Sequence, residues 1–147
     1  MKATAPAIRK RWMALLATAL PARLATLVPE LPNHEMLRAP EIGTVMVQGR
    51  MGGTGGAFHL GEMTVTRCSL RLDCGTVGHG YVQGRDKVHA QRVAIVDAWM
   101  QTPLADQIQR EVLNVLEAEA ARRQEEQARK SAATKVDFFT MVRGEDA

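Results

Sequence analysis

The residues best suited to chemistry are an arginine beside a glycine cluster, four histidines, two cysteines and a few isolated acids. Arg50 is followed by Met51 and then by Gly52-Gly53-Thr54-Gly55-Gly56. Glycines let backbone N–H groups converge on an anion, and an arginine adds charge and paired donors. Arg50, Gly52, Gly53, Thr54 and Gly55 are therefore the candidate anion-binding residues. The cluster lacks the Lys-Ser/Thr ending of a Walker loop and opens no helix, so a flexible sheet connection is the plainer reading.

The histidines His34, His59, His79 and His89 form no HxH, HxxxH or HExxH pair, and no metal ligand set is assigned. His79, between Gly78 and Gly80, either approaches a ligand or is a strand histidine whose glycines mark tight backbone packing; the second is commoner. His89 falls on the inner side of a helix and is expected to be a satisfied structural histidine. Cys68 and Ser69 have no base at a recognisable spacing, and Glu62 and Asp86 are single acids without an evident partner. No catalytic residue is assigned. Cys68 and Cys74, if both in one strand, would stand roughly 20 Å apart, beyond disulfide reach, so both read as free thiols.

The elements that must hold these residues are a sheet between two helical flanks. Glu35–Arg38, Glu41–Arg50, the alternating run Phe58–Asp73 and Thr76–Gly84 are strand-like, and the glycines between them suit the short turns of antiparallel pairing. In the long strand Thr64–Leu72, Thr64, Thr66, Cys68, Leu70 and Leu72 share the core face. Val65, Arg67, Ser69 and Arg71 share the other, which is solvated or answers an acidic partner. The fold class is α+β: an antiparallel sheet of about four strands, flanked by N-terminal and C-terminal helices, with an apolar C-terminal tail.

Pro6 begins a first helix whose inner face carries Ile8, Trp12, Leu15, Leu16, Ala19 and Leu20. The same stretch, with Arg9-Lys10-Arg11 ahead of it, imitates a signal peptide, but helical spacing explains it better. Pro21 begins a second helix, which Pro29 and Pro32 stop. Asp86 caps the helix Lys87–Gln101, and Thr102-Pro103 restarts the chain as cap and first turn, with Leu104, Ile108, Val112, Val115 and Leu116 inward. The stripe fades into the charged Arg122–Lys130. Past Thr134 the tail turns apolar, and Phe138, Phe139, Met141 and Arg143 either dock on a partner or fold back onto the sheet.

At 147 residues the chain reads as a single domain, with helices at about 6–28, sheet at about 35–84, helices at about 87–130 and the tail at 131–147. Nineteen basic residues face 16 acidic ones, a net charge of +3, which is too balanced to demand a polyanion. No basic stripe interleaved with aromatics is present, so a nucleic-acid-binding module is a remote alternative. No run approaches the ~20 apolar residues of a membrane span, and a cytoplasmic protein is expected.

Four blocks in order resemble one family. They are Arg50-Met51-Gly52-Gly53-Thr54-Gly55; Thr64-x-Thr66-Arg67 with Arg71-Leu72; Gln83-Gly84-Arg85-Asp86-Lys87 with His89-Ala90; and Val136–Gly144. Arg11-Trp12-Met13 and Asp97-Ala98-x-Met100-Gln101 agree as well. Together these look like the G subunit (PhnG) family of the bacterial carbon–phosphorus lyase core complex. The stretches around Ala22–Asn33 and Leu104–Ala128 vary and carry nothing over.

The resemblance implies a subunit active only within a complex that lets bacteria use alkylphosphonates as a phosphorus source, and the missing acid–base set argues for a non-catalytic or accessory role within it. In it an I subunit, helped by this one, displaces adenine from MgATP with the phosphonate, giving a ribose 1-alkylphosphonate 5-triphosphate. The implied partners are the I subunit chiefly, with the H and J subunits, in a two-fold symmetric assembly without membrane or nucleic acid. No cofactor belongs to this chain; the iron–sulfur cluster and S-adenosylmethionine serve the J subunit. Two roles are then in play. In the first, the sheet and tail dock through Arg67, Arg71, Phe138, Phe139, Met141 and Arg143 and fix the partner's active conformation. In the second, Arg50 and its glycines bind a phosphate or phosphonate of the substrate.

Overall fold

A computed structural model describes the backbone of residues 6–145 and the side chains through Thr134. Helix α1 (Pro6–Thr18) and the short α2 (Pro21–Leu27) precede a sheet of β1 (His34–Arg50), β2 (Ala57–Leu72) and β3 (Val77–Gln83). Helix α3 (Lys87–Trp99) follows, then α4 (Ala105–Ile108), a π turn at Gln109–Leu113, and α5 (Asn114–Glu145). Helices at both ends of an antiparallel sheet are the expected α+β arrangement.

The sheet has three strands among the described residues, in the order β1-β2-β3, where about four were expected. The discrepancy lies at Pro40. A proline cannot donate to a ladder, which argues for ending a strand there, but it is tolerated on an edge strand at an irregularity. Here β1 is the edge strand and its register with β2 shifts between Arg38 and Glu41, so the chain runs through Pro40 as one strand.

The core lies between the sheet and the helices. Cys68, Leu70 and Leu72 from β2 and Val82 from β3 meet Ala90, Val93, Ala94 and Ile95 of α3. Alternation in β2 puts Arg67 and Arg71 on the opposite, outer face, as read from the sequence. Helix α3 approaches β3 so closely that a Cβ at Gly78 would strike the carbonyl oxygen of Ala94, and one at Gly80 that of Ala90. The two glycines flanking His79 therefore exist for backbone packing.

The helical faces follow their predicted stripes with local exceptions. Trp12, Leu16 and Ala19 are buried, but Ile8 and Leu20, at the ends of the α1 stripe, are exposed. The restart after α3 comes two residues late: Thr102 accepts from the Leu104 amide in a tight turn, and α4 begins at Ala105. Leu104 is consequently exposed. The π turn adds a residue to the helical repeat and brings Leu113 inward beside Ile108, Val112 and Leu116.

Candidate functional site

The glycine cluster forms the tip of the β1–β2 hairpin. Met51–Gly53 make one 3-10 turn, Gly52 and Gly53 take φ values of 60° and 80°, and the Gly55 amide donates to the Met51 carbonyl at 2.8 Å. These positive φ values are cheap only for glycine. The connection reading thus describes the geometry, and Arg50 stands at the exposed end of β1.

Arg67 and Arg71 are held on the outer sheet face. Arg71 pairs with Glu35, and Arg67 and Arg38 both approach Glu41, at 3.6 and 3.8 Å. Their acidic partners thus include residues of the neighbouring strand. Arg50 is paired with Ala57 at one end of the hairpin and Arg71 with Glu35 at the other, about 45 Å apart along the strand. The fold does not bring the two arginine groups to one anion. Phe138, Phe139, Met141 and Arg143 lie in the last turns of α5, outside the described side chains.

Between the two arginines the structure supplies what spacing alone did not. Ser69 is directly opposite His79, and Ser69 Oγ and His79 Nδ1 share a hydrogen bond of 2.7 Å. Sequence distance hid the pair, since antiparallel strands bring residues ten apart face to face. The dyad is exposed, and no carboxylate orients the far side of the imidazole among the described residues. It lacks the third group that a nucleophile–base pair normally relies on.

The strongest polar cluster is structural and was not singled out as a site. Asp97, fully buried on α3, accepts from Arg9 Nη2 at 2.8 Å, Arg9 Nε at 3.2 Å, Trp12 Nε1 at 2.8 Å and the His79 amide at 2.9 Å. One carboxylate ties α1, β3 and α3 together, with both oxygens satisfied. The signal in the sequence was a lone acid inside the apolar Val93–Ala98 run, matched by Arg9 and Trp12 one turn apart on α1.

His89 corrects the expectation of a satisfied histidine. It is 3% exposed, and neither ring nitrogen has a hydrogen-bond partner among the described residues. Burial lowers its pKa below the ordinary histidine value, Asp86 opposes that shift and Arg92 adds to it. Asp86 meanwhile caps α3 as expected, its Oδ1 accepting from the His89 amide at 2.9 Å. Cys68 is buried, which pushes its thiol up to about 11, while Cys74 is exposed and hydrogen-bonded to Thr76.

No three His, Cys, Asp or Glu side chains gather as a metal site among the described residues. A groove of about 500 Å³ between α1 and the π turn is lined by Ile8, Trp12, Leu15 and Leu113 with the Arg11–Glu117 ion pair at its rim. It contains no histidine, cysteine or serine. No helix among the described residues is long and apolar enough to cross a membrane.

Fold and side chains together define a small α+β protein whose polar groups mostly serve its own architecture. Residues 7–144 match the family described as phosphonate metabolism protein PhnG, and the chain belongs to that family. It is also 44% identical, over 145 residues, to the alpha-D-ribose 1-methylphosphonate 5-triphosphate synthase subunit PhnG of Rhizobium meliloti (strain 1021). That similarity covers 94% of this chain and 90% of the relative.

Proposed function

We propose that this chain is an accessory subunit of a ribose 1-methylphosphonate 5-triphosphate synthase, active only within the assembled complex during phosphonate catabolism. The observation that carries this is the near full-length similarity to a synthase subunit, which leaves little of either chain unmatched. The side-chain geometry supports a supporting role, because Asp97, Arg67, Arg71 and Asp86 are engaged in bonds within the chain. In this reading the complex uses MgATP and an alkylphosphonate as substrates and releases adenine. The chain acts as one unit in the cytoplasm, chiefly against an I subunit, with H and J subunits in a two-fold symmetric core. The iron–sulfur cluster and S-adenosylmethionine belong to J. Arg67 and Arg71, with Phe138, Phe139, Met141 and Arg143 of the tail, are the proposed docking residues. The experiment is co-expression of the synthase subunits with and without this chain. Co-elution, and loss of nucleotide turnover when it is omitted, are expected; full turnover without it would refute the proposal.

One observation favours a second, compatible role. The hairpin carries Arg50 past the end of β3, which pairs only with Val65–Arg71, and Arg50 makes no ion pair among the described residues. An arginine and a glycine turn held out from the body could reach substrate phosphate in a partner's site. Arg50→Ala in the assembled complex should then reduce turnover by roughly tenfold or more, the scale of a lost charged contact, with assembly unchanged. Normal turnover would dismiss that role.

A further inference from the structure

Beyond Val65 the hairpin of β1 and β2 continues with no third strand, for eight residues of β2, Ala57–Thr64, or about 26 Å. Two-stranded ribbons are marginal in water, and this one has an apolar side. The register places Val45 opposite Met63, Val47 opposite Gly61 and Gly49 opposite Phe58. Phe58 and Leu60 lie over Gly49: a Cβ there would be 3.3 Å from Phe58 Cζ and 3.0 Å from Leu60 Cδ1. Even so, Phe58 is 41% and Leu60 63% exposed.

The two edges of the sheet are treated differently. At β3 the outward-facing His79 amide is bound by Asp97, and α1 packs along the strand. The outer edge of β1 has no neighbouring strand among the described residues, and from Ile42 to Gly49 it contains neither a charge nor a proline. Edge strands that stay open are normally protected by such residues. Self-pairing fits poorly. Register shifts on either side leave Glu41–Val47 as the regular stretch, and seven residues paired with their copy fall short of the roughly 1,000 Å² a specific interface needs.

We propose that this hairpin is an arm that receives another subunit of the synthase. An extended segment of that subunit adds along β1 between Ile42 and Val47, and apolar side chains cover Val45, Val47, Phe58, Leu60 and Met63. The inference rests on the accessory-subunit reading and adds a second surface to the docking residues proposed above. Main-chain bonds along the edge supply affinity, and the apolar side supplies specificity. An uncharged edge selects an uncharged, β-branched or aromatic strand, since placing a charge there would leave it unpaired in the interface.

The test compares hydrogen exchange of the full chain alone and in the co-expressed complex, together with pull-down of Phe58→Asp/Leu60→Asp. The amides of residues 42–47 should exchange rapidly in the free chain and slow at least about tenfold in the complex. The double variant should keep the melting temperature of the native chain and lose co-purification by a similar factor. Four results would overturn the arm. One is a wild-type complex with an unprotected β1 edge. Another is undiminished co-purification of the folded variant. The third is protection in the free chain that rises with concentration alongside a dimer in sedimentation, which assigns the edge to a second copy. The fourth is concentration-independent protection in the free chain, which assigns it to the chain's own C-terminal segment. Failure of the wild-type chain to associate with any synthase subunit would sink the accessory reading as well, so the two failures are distinguishable.

Discussion

At the scale of single residues, the side chains that look chemical in the sequence are mostly architectural, and each makes a definite energetic claim. Asp97 is a buried carboxylate bound by a guanidinium, an indole and an amide. Such a group is costly to bury and costlier to break, because removing the charge leaves the Arg9 donors uncompensated. Asp97→Asn should destabilise the chain by about 3 kcal/mol in urea unfolding. His89 makes the opposite kind of claim, since it is buried without partners for either nitrogen among the described residues. Its folded pKa lies below the unfolded value of about 6.5, so below that pH the unfolded chain binds a proton that the folded chain does not. Stability should therefore fall as pH drops below about 6.5, by at most about 1.4 kcal/mol per unit from this group, and level off below the folded pKa. His89→Leu should flatten that slope in denaturation curves taken between about pH 5 and about pH 7, a window that contains the ordinary histidine value. A slope unchanged in the variant would assign the pH dependence to other groups.

At the scale of elements, close packing of α3 on β3 decides what the glycines tolerate. Gly80→Ala forces a methyl into the Ala90 carbonyl and should cost about 1–3 kcal/mol or more. Gly43→Ala, with open space at its Cβ, should stay within about 0.5 kcal/mol, and thermal melts of the two variants separate them. The same region shows how much could be read beforehand. Period-two alternation gave the core and outer faces from Thr66 to Leu72, because burial on one side of a sheet enforces it, whereas Val65, on the outer face by alternation, is buried. The packing role of Gly78 and Gly80 was legible for a similar reason. The strand count was not, because Pro40 signals a break in sequence but only a bulge on an edge strand in space. The Ser69–His79 pair and the Arg67–Glu41 pair needed strand register, which no local pattern contains. The π turn that draws Leu113 inward likewise left no signature in the helical stripe.

At the scale of the whole molecule, a packed core carries a hairpin that the core does not need. The helices and the base of the sheet bury the large side chains, whereas Met46, Met51, Phe58 and Leu60 remain outside. This division fits a subunit that folds its own body and commits its arm to a companion. The most direct measurement is nucleotide and phosphonate turnover by this chain alone, by the co-expressed synthase subunits without it, and by the reconstituted mixture. The account predicts no turnover from the chain alone, none or little from the remainder, and activity restored when the two are combined. Turnover of MgATP with an alkylphosphonate by the purified chain itself would contradict it.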